Sequence, residues 1–185
     1  MRIIGGSARG RTLLAPRGLQ TRPTPDAVRE SLCNILRCEI PGATVLDLFA
    51  GTGALALECL SRGAERAALV DHAQSAMGVI RRNVQSAGFE GQTQCLRSDW
   101  RAALARLRGQ GRFDLVFLDP PYGRIDLTQV CAALAESDLL APDALIVAEH
   151  RTGEPPTAHP PLLTEDTRRY GDTTVTIIRY HQEGQ

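Results

Sequence analysis

Short apolar segments alternate with amphipathic segments along most of the chain, and turn-forming residues separate them. The apolar segments are short enough to be buried strands, and the amphipathic segments have helical periodicity. The predicted strands are Ala43–Leu48, Ala67–Val70, Thr93–Arg97, Phe113–Leu118 and Leu145–Ala148. The predicted helices between them are Gly53–Ser61, Ala73–Ala87, Trp100–Leu107 and Leu127–Ala135. This alternation predicts an α/β fold with a mostly parallel sheet and helices on both faces.

The N-terminal part of the chain departs from this alternation. Arg2–Ile4 and Arg11–Leu14 flank a turn rich in Gly and predict a β-hairpin. A helix is predicted from Pro25 to Leu36, because Thr24 is a good N-cap and proline suits the first helical position. We therefore expect an N-terminal extension of hairpin and helix over residues 1–38.

The C-terminal part predicts a second hairpin. Leu162–Tyr170 and Thr173–Tyr180 flank Gly171-Asp172, and the second segment alternates apolar and polar residues. We expect this hairpin at the edge of the sheet. The total length of 185 residues suits one α/β domain, over residues 39–185, with a small appendage.

Charge is distributed unevenly along the chain, although the formal net charge is zero. Residues 1–37 hold seven arginines against Asp26 and Glu30, a net charge of +5, and the rest of the chain has a net charge of −5. A basic segment on an acidic body predicts contact with a nucleic acid. All 21 basic residues are arginine, which coding bias explains as well as phosphate binding does.

Other compositional features exclude several classes of protein. No apolar run has the length of a membrane span, and the first residues lack the apolar core of a signal peptide. The five cysteines are scattered and form no CxxC pair, so we expect neither a disulfide framework nor a metal site. The sequence therefore predicts a cytoplasmic protein without a membrane partner.

Acidic residues stand at or just after the ends of all five predicted parallel strands. They are Asp47, Asp71, Asp99, Asp119 and Glu149. Because open α/β sheets bind ligands at the carboxyl ends of their strands, these acids predict a ligand site along that edge.

A Gly-rich turn joins the first strand to the helix that follows it, within Val45–Ala54. Gly51 and Gly53 allow the backbone to approach a ligand closely, and the helix N-terminus offers free N–H groups. Asp71 can accept hydrogen bonds from ribose hydroxyls, and Asp99 can accept one from an adenine amine or cap the next helix. The candidate cofactor-binding residues are Asp47, Phe49, Ala50, Gly51, Gly53, Asp71, His72, Asp99 and Trp100.

Two cofactors are candidate ligands of this turn, NAD and S-adenosylmethionine. Gly51–Ala56 fits the GxGxxA variant of the dinucleotide fingerprint, with an acid about 20 residues further on, so an NAD-dependent oxidoreductase is one interpretation. Asp47, however, lies where a pyrophosphate would meet an unfavourable negative charge. A carboxylate there suits the ammonium group of a methionine moiety beside a sulfonium, which favours S-adenosylmethionine.

The segment Asp119-Pro120-Pro121-Tyr122 follows the fourth strand and predicts the catalytic site. An exocyclic amine on a nucleic-acid base is a poor nucleophile, because its lone pair is delocalised into the ring. The Asp119 carboxylate and the Pro120 carbonyl can accept both N–H groups and free that lone pair, and Tyr122 can stack on the base. Asp119, Pro120 and Tyr122 are therefore the candidate catalytic residues for methylation of such an amine, by positioning and electrostatics.

Over nearly its whole length the sequence resembles the RsmD-like family of 16S rRNA (guanine-N2)-methyltransferases. The matching segments are Arg2–Gly6, Arg9–Arg11, Arg22–Thr24, Val28–Glu30, Asp47–Leu55 and Asp119–Tyr122, together with Asp26 and Asn34. The Gly-rich turn and the double-proline segment are shared with many amino-methyltransferases, whereas the Arg-rich N-terminal block is more specific. Many members carry Phe at the position of Tyr122, so an aromatic ring is retained.

The resemblance implies a Rossmann-like class I fold with a seven-stranded sheet whose last strand is antiparallel. It implies S-adenosylmethionine as cofactor and the N2 amine of a guanine in small-subunit ribosomal RNA as substrate, of the guanine 966 type. The RNA, free or in a subunit assembly intermediate, would contact Arg9, Arg11, Arg22, Thr24 and Arg29. Nothing in the sequence demands a dimer, and we expect a monomer.

Several alternatives remain open at this point. Arg29 can equally pair with Asp26 or Glu30 on its own helix. The same catalytic segment occurs in DNA adenine and cytosine amino-methyltransferases, although this chain is short for a separate DNA-recognition domain. A non-catalytic RNA-binding assembly factor on the same fold is the remaining alternative.

Overall fold

Five parallel strands form the first part of a seven-stranded sheet in the computed structural model, which describes residues 1–15 and 26–182. The strands are β1 (Thr44–Asp47), β2 (Arg66–Asp71), β3 (Thr93–Arg97), β4 (Phe113–Leu118), β5 (Leu140–Arg151), β6 (Leu162–Tyr170) and β7 (Thr173–Tyr180). Their order across the sheet is β3-β2-β1-β4-β5-β7-β6. The chain crosses from one side of β1 to the other between β3 and β4, so β1 and β4 are neighbours at the point where the strand order reverses. Such switch points are where open α/β sheets bind ligands.

The strand directions confirm the predicted fold class. β1 pairs in parallel with β2 and β4, and β4 pairs in parallel with β5. β7 runs antiparallel to both β5 and β6 and lies between them. The predicted C-terminal hairpin is confirmed, with β6 as its outer strand.

Helices cover both faces of this sheet, as predicted. They are α1 (Asp26–Ile35), α2 (Ala54–Ser61), α3 (Gln74–Ala87), α4 (Trp100–Leu107) and α5 (Leu127–Ala135), with a 3₁₀ turn at Glu90–Gln92. Successive strand residues point to opposite faces, so Val45 joins the core beneath α1, α2 and α3, and Leu46 joins the core beneath α4 and α5. Asp99 and Asp126 begin α4 and α5 by accepting hydrogen bonds from backbone N–H groups of the first turn.

Strand β5 begins earlier and ends later than the predicted Leu145–Ala148. Pro142 and Asp143 are typical of a turn, but here they form an irregularity inside the strand, where Asp143 has φ 59°. Phe113 pairs with Leu140 and Leu115 pairs with Leu145, so the extra residues of β5 bulge out without ending the strand. The predicted start of this strand was therefore wrong.

The predicted N-terminal hairpin is reduced to a single antiparallel bridge, between Arg2 and Thr12. Side chains of α2 take backbone groups that a longer ladder would use. The Glu58 carboxylate accepts hydrogen bonds from the N–H groups of Ile4 (2.7 Å) and Gly5 (2.8 Å). This segment therefore folds onto α2. Its two halves still pair antiparallel as predicted, through hydrogen bonds from Ile3 N–H to the Arg11 carbonyl (3.0 Å) and from Leu13 N–H to the Met1 carbonyl (3.0 Å), but the pairing is too short to form two regular strands.

The same segment shares the core of the sheet. Ile3 and Leu13 are buried in the cluster that contains α1, α2 and α3. A Cβ at Gly6 would lie 1.7 Å from the Ser61 carbonyl oxygen, and Gly6 has φ 76°, so only glycine allows the chain to lie this close to α2. The division into residues 1–38 and 39–185 stays a prediction.

Helix α1 begins at Asp26 in the described part of the chain. The predicted N-cap Thr24 and first-turn Pro25 lie outside the described residues. Within residues 1–15 and 26–182, no helix combines the length and apolar character needed to cross a bilayer.

Candidate active site

Asp47 ends β1 and is 2% exposed. It pairs in register with Phe117 of β4, and the Leu48 N–H donates a 3.1 Å hydrogen bond to the Phe117 carbonyl. Burial raises the pKa of the Asp47 carboxyl to about 7, the negative charge of Asp71 adds to the increase, and hydrogen bonds from backbone N–H groups oppose it. A cation bound beside Asp47 would favour its charged form.

The Gly-rich turn after β1 is shaped by its two glycines. Gly53 has φ 78°, and a Cβ there would lie 2.8 Å from Leu69 Cδ2, so this position packs against β2. Gly51 has φ 55°, but the atom nearest to a Cβ placed there would be the Phe49 carbonyl oxygen, at 4.0 Å. The Ala50 N–H donates to a β2 carbonyl and holds the turn against the sheet. Open space beside Gly51 leaves room for a ligand against the backbone.

Asp71 ends β2 and connects this turn to the start of α3. One carboxylate oxygen accepts a 2.9 Å hydrogen bond from the Gly51 N–H, and the other accepts a 2.8 Å bond from the Ala73 N–H. Each carboxylate oxygen has two lone pairs, so Asp71 can still accept bonds from a ligand. His72 is exposed, with Nδ1 at 3.7 Å from Asp71.

Asp99 caps α4 in the structure. Its Oδ1 accepts hydrogen bonds from the N–H groups of Arg101 (3.0 Å) and Ala102 (3.1 Å), which confirms the capping alternative. Trp100 is 7% exposed and packs in the core beneath α4, and the Arg101 guanidinium lies 4.1 Å above its ring. This burial argues against direct cofactor contact by Trp100, and we expect the ring to support Asp99.

The segment after β4 places Tyr122 at the surface, 41% exposed. The Tyr122 hydroxyl lies 2.7 Å from Thr173 Oγ1 at the start of β7 and donates a 3.2 Å hydrogen bond to Glu149 Oε1 in β5. Partial burial raises the pKa of Tyr122, and the negative charges of Glu149 and Asp119 add to the increase. Both carboxylates therefore lie near this hydroxyl.

A cleft of about 260 Å³ opens beside this segment. Its walls include Pro120, Pro121, Tyr122, Ile125, Leu127 and Glu149. Asp47 pairs with Phe117 of β4, and Asp119 follows two residues later. The Cα atoms of Asp47 and Asp119 are therefore roughly 8 Å apart. Asp119 and the Gly-rich turn therefore lie at one edge of the sheet. The cleft is lined by Pro120 and Tyr122 but by none of the candidate cofactor-binding residues, so a single shared pocket stays a prediction.

The N-terminal arginines differ in their surroundings. Arg9 is exposed, and Arg11 is exposed while its Nη1 donates a 2.7 Å hydrogen bond to the Ser86 carbonyl at the end of α3. Arg29 is 1% exposed, and its Nη2 donates 2.8 Å bonds to Asp26 and to the Arg2 carbonyl. The prediction that Arg29 contacts RNA was therefore wrong, and its pairing with Asp26 is confirmed. The other two candidate RNA-binding residues, Arg22 and Thr24, lie outside the described residues.

Three buried or cleft-lining side chains were not assigned a role from the sequence. Glu58 binds the N-terminal segment, and Asn83 of α3 joins that segment to the Gly-rich turn. Glu149 lines the cleft. The one sequence signal for Glu149 was its place among the acids at strand ends. Glu58 and Asn83 had none, because a polar residue inside a helix does not reveal which distant backbone groups it binds.

The strand order, the Gly-rich turn and the acidic strand ends define a Rossmann-like methyltransferase of class I. The family model described as conserved hypothetical protein 95 matches residues 1–179. Ribosomal RNA small subunit methyltransferase D of Haemophilus influenzae is 34% identical over 182 residues, which cover 97% of this chain and 91% of that protein. Its Escherichia coli counterpart is 39% identical over 149 residues, covering 80% and 74%.

A solved structure agrees with these relatives. The Escherichia coli protein yhhF superposes with a TM-score of 0.87 at 32% identity, over 98% of each chain. The chain belongs to the conserved hypothetical protein 95 family, which is the RsmD-like family of methyltransferases.

Proposed function

We propose that this chain methylates the N2 amine of a guanine in small-subunit ribosomal RNA, with S-adenosylmethionine as the methyl donor. Two relatives that it matches over most of their length are named for small-subunit ribosomal RNA methylation. The observation that carries the proposal is the pairing of β1 with β4, which brings the Asp47 turn and the Asp119–Tyr122 segment to one edge of the sheet.

The residues of the turn fit this cofactor better than NAD. Burial disfavours the ionised form of Asp47, and the negative charge of Asp71 disfavours it further. A cationic ligand would stabilise the ionised carboxylate, whereas a pyrophosphate would destabilise it. Asp71 keeps acceptor capacity for ribose hydroxyls, and the space beside Gly51 is open. When bound, the cofactor supplies an electrophilic methyl group on a positively charged sulfur.

The residues after β4 would prepare the target amine. The Asp119 carboxylate and the Pro120 carbonyl accept the two N–H groups and draw the nitrogen towards tetrahedral geometry, which frees its lone pair. Tyr122 stacks on the base and fixes its orientation. Asp119 need not remove a proton before methylation, because the methylated amine becomes strongly acidic.

The basic N-terminal extension, residues 1–38, would bind the RNA around the target. Arg9 and Arg11 are exposed and suit phosphate contacts, and Arg22 and Thr24 are proposed for the same surface. The base must leave its stack to reach Asp119, so the target lies in an open loop or is flipped out. We propose that the enzyme acts in the cytoplasm, where this substrate is made, and that it acts as a monomer.

Methyl transfer can be tested with tritiated S-adenosylmethionine and small ribosomal subunits, or their free RNA, from cells that lack this protein. Digestion to nucleosides should show N2-methylguanosine, and DNA should accept no label. Label in DNA, or no label in RNA with tight NAD binding by calorimetry, would reject the proposal.

The Asp119→Ala variant tests the assigned chemistry. It should lose methyl transfer while its calorimetric affinity for S-adenosylhomocysteine stays within a few-fold of wild type. Asp138→Ala, which removes an exposed carboxylate before β5, is the matched control and should keep full activity. Unchanged turnover in Asp119→Ala would show that the carboxylate does not hold the amine.

A further inference from the structure

The ends of β4 and β5 bring a second carboxylate beside Asp119. Leu118, the last residue of β4, pairs with Ala148 of β5, so the residues that follow them, Asp119 and Glu149, leave this pair in the same direction. Adjacent strands of a sheet lie about 4.8 Å apart. Glu149 lines the same cleft as Pro120, and its Oε1 accepts the hydrogen bond from the Tyr122 hydroxyl. A base stacked on that tyrosine would therefore present an edge towards Glu149.

The chemistry of base edges makes this position selective. On its Watson–Crick edge, guanine presents an N1–H donor beside the N2 amine, whereas adenine N1 and cytosine N3 are acceptors. An ionised carboxylate only accepts hydrogen bonds. A carboxylate at this position therefore accepts a hydrogen bond from guanine N1–H and repels the acceptor nitrogen of adenine or cytosine. Binding sites built to accept a hydrogen bond from a substrate N–H discriminate strongly against analogues that lack it.

We propose that Glu149 selects guanine by accepting a hydrogen bond from N1–H of the target base, while Asp119 and the Pro120 carbonyl hold its N2 amine. This inference rests on the proposed function and adds a specificity-determining residue to it. Asp119 prepares the nucleophile, and Glu149 decides which base is accepted.

The contacts of the Tyr122 hydroxyl fix the ring beside this carboxylate. Thr173 Oγ1 lies 2.7 Å from the Tyr122 hydroxyl, which in turn donates to Glu149. The ring that stacks on the base is thus fixed by the strand that follows the hairpin turn. Thr173 is a positioning residue in this scheme, because it acts on the base through Tyr122.

The test uses small-subunit RNA, assembled into subunits where free RNA is not accepted, with the target guanine replaced by 2-aminopurine. This analogue keeps the amine but has an acceptor at N1. Wild type should prefer guanine in kcat/KM by at least about 100-fold. Glu149→Gln should lower that preference by about 10- to 100-fold, because its amide can donate to N1 of the analogue.

Two further variants separate recognition from structure. Glu154→Gln changes another carboxylate at the rim of the cleft, one that is exposed and lies 4.0 Å from Arg151, and should keep the wild-type preference. Thr173→Val loosens Tyr122 but keeps the Glu149 carboxylate, so kcat/KM should fall while the preference for guanine remains.

The outcomes are distinguishable. A wild-type enzyme that methylates no guanine contradicts the proposed function itself. A wild-type enzyme that methylates guanine, with Glu149→Gln retaining the full preference over 2-aminopurine, overturns only the role of Glu149. Equal loss of preference in Thr173→Val and Glu149→Gln also overturns it, because recognition would then depend on the position of the ring.

Discussion

The carboxamide of Asn83 donates a 2.9 Å hydrogen bond to the carbonyl of Thr52, which lies between the two glycines of the cofactor turn. The same carboxamide donates to the Leu14 carbonyl (3.0 Å) and accepts from the Leu14 N–H (2.8 Å). Asn83 is fully buried. One side chain therefore joins the N-terminal segment to the turn that is proposed to hold the methyl donor.

Asn83→Ala should weaken both the fold and the cofactor site. It leaves three backbone groups of Leu14 and Thr52 without this partner, so we expect the free energy of unfolding to fall by roughly 1–3 kcal/mol. Urea denaturation measures that loss, and calorimetry should show weaker binding of S-adenosylhomocysteine. Asn34→Ala removes an exposed carboxamide on α1 and serves as the control. Wild-type values of both quantities in Asn83→Ala would contradict this role.

The buried carboxyl of Asp47 predicts how stability depends on pH. Its pKa is raised from 3.8 to about 7 by burial, so between these values the folded protein holds a proton that the unfolded chain has lost. The free energy of unfolding without ligand should therefore decrease as pH rises from about 4 to 7, by at most about 1.4 kcal/mol per pH unit. Asp47→Asn should remove this slope in denaturation measured across that range.

Cofactor affinity should depend on pH in the opposite sense. The ammonium group of S-adenosylhomocysteine favours ionised Asp47, so its affinity should fall as pH decreases below about 7. Calorimetry between pH 5.5 and 8, a range chosen around that value, measures the dependence. An affinity independent of pH, or an Asp47→Asn variant that binds as tightly as wild type, would show that the ammonium group does not bind beside Asp47.

Tyr122 offers a matched pair of substitutions. Tyr122→Phe keeps the ring and loses the hydroxyl bonds to Thr173 and Glu149, so kcat/KM should fall only a few-fold. Tyr122→Ala also loses stacking, which contributes about 1–3 kcal/mol per base, so kcat/KM should fall about 10- to 100-fold. If both variants lose activity equally, the hydroxyl is the essential group and stacking is not.

Arg9 and Arg29 should behave differently although both are basic residues of the N-terminal extension. Arg9 is exposed, so Arg9→Ala should weaken RNA binding and leave the free energy of unfolding unchanged. The slope of log K for RNA binding against log salt concentration should become shallower by about one. Arg29→Ala removes a buried guanidinium and should lower the free energy of unfolding by about 1–3 kcal/mol. Fluorescence anisotropy at several salt concentrations and urea denaturation measure the two effects. A stable Arg29→Ala with selectively weakened RNA binding would reverse the assignment.

Local patterns in the sequence were sufficient for the parallel part of the fold. Most of these strands are short apolar runs. Gly88 marks a helix end by its left-handed backbone, and Asp99 marks a helix start by its capping side chain. The number of strands and the antiparallel last strand followed from the resemblance to a known family. Periodicity alone does not specify which strands pair.

Contacts between distant segments were beyond sequence reasoning. Nothing local to Glu58 shows that its carboxylate will bind the N–H groups of Ile4 and Gly5 and hold the N-terminal segment against α2. Arg29 has the sequence character of a surface cation, but the backbone of Arg2 lies against it and encloses it. Trp100 was similarly assigned from its neighbour Asp99, whereas core packing determines where its ring lies.

The position of β7 between β5 and β6 sets an order of events during synthesis. Thr173, which holds Tyr122, leaves the ribosome after β5 and β6, and β6 reaches the sheet only through its pairing with β7. A nascent chain that has already completed the Gly-rich turn therefore still lacks the Thr173 hydroxyl that fixes the Tyr122 ring. The ring that is proposed to stack on the target base is therefore fixed in place only after translation has passed the final hairpin.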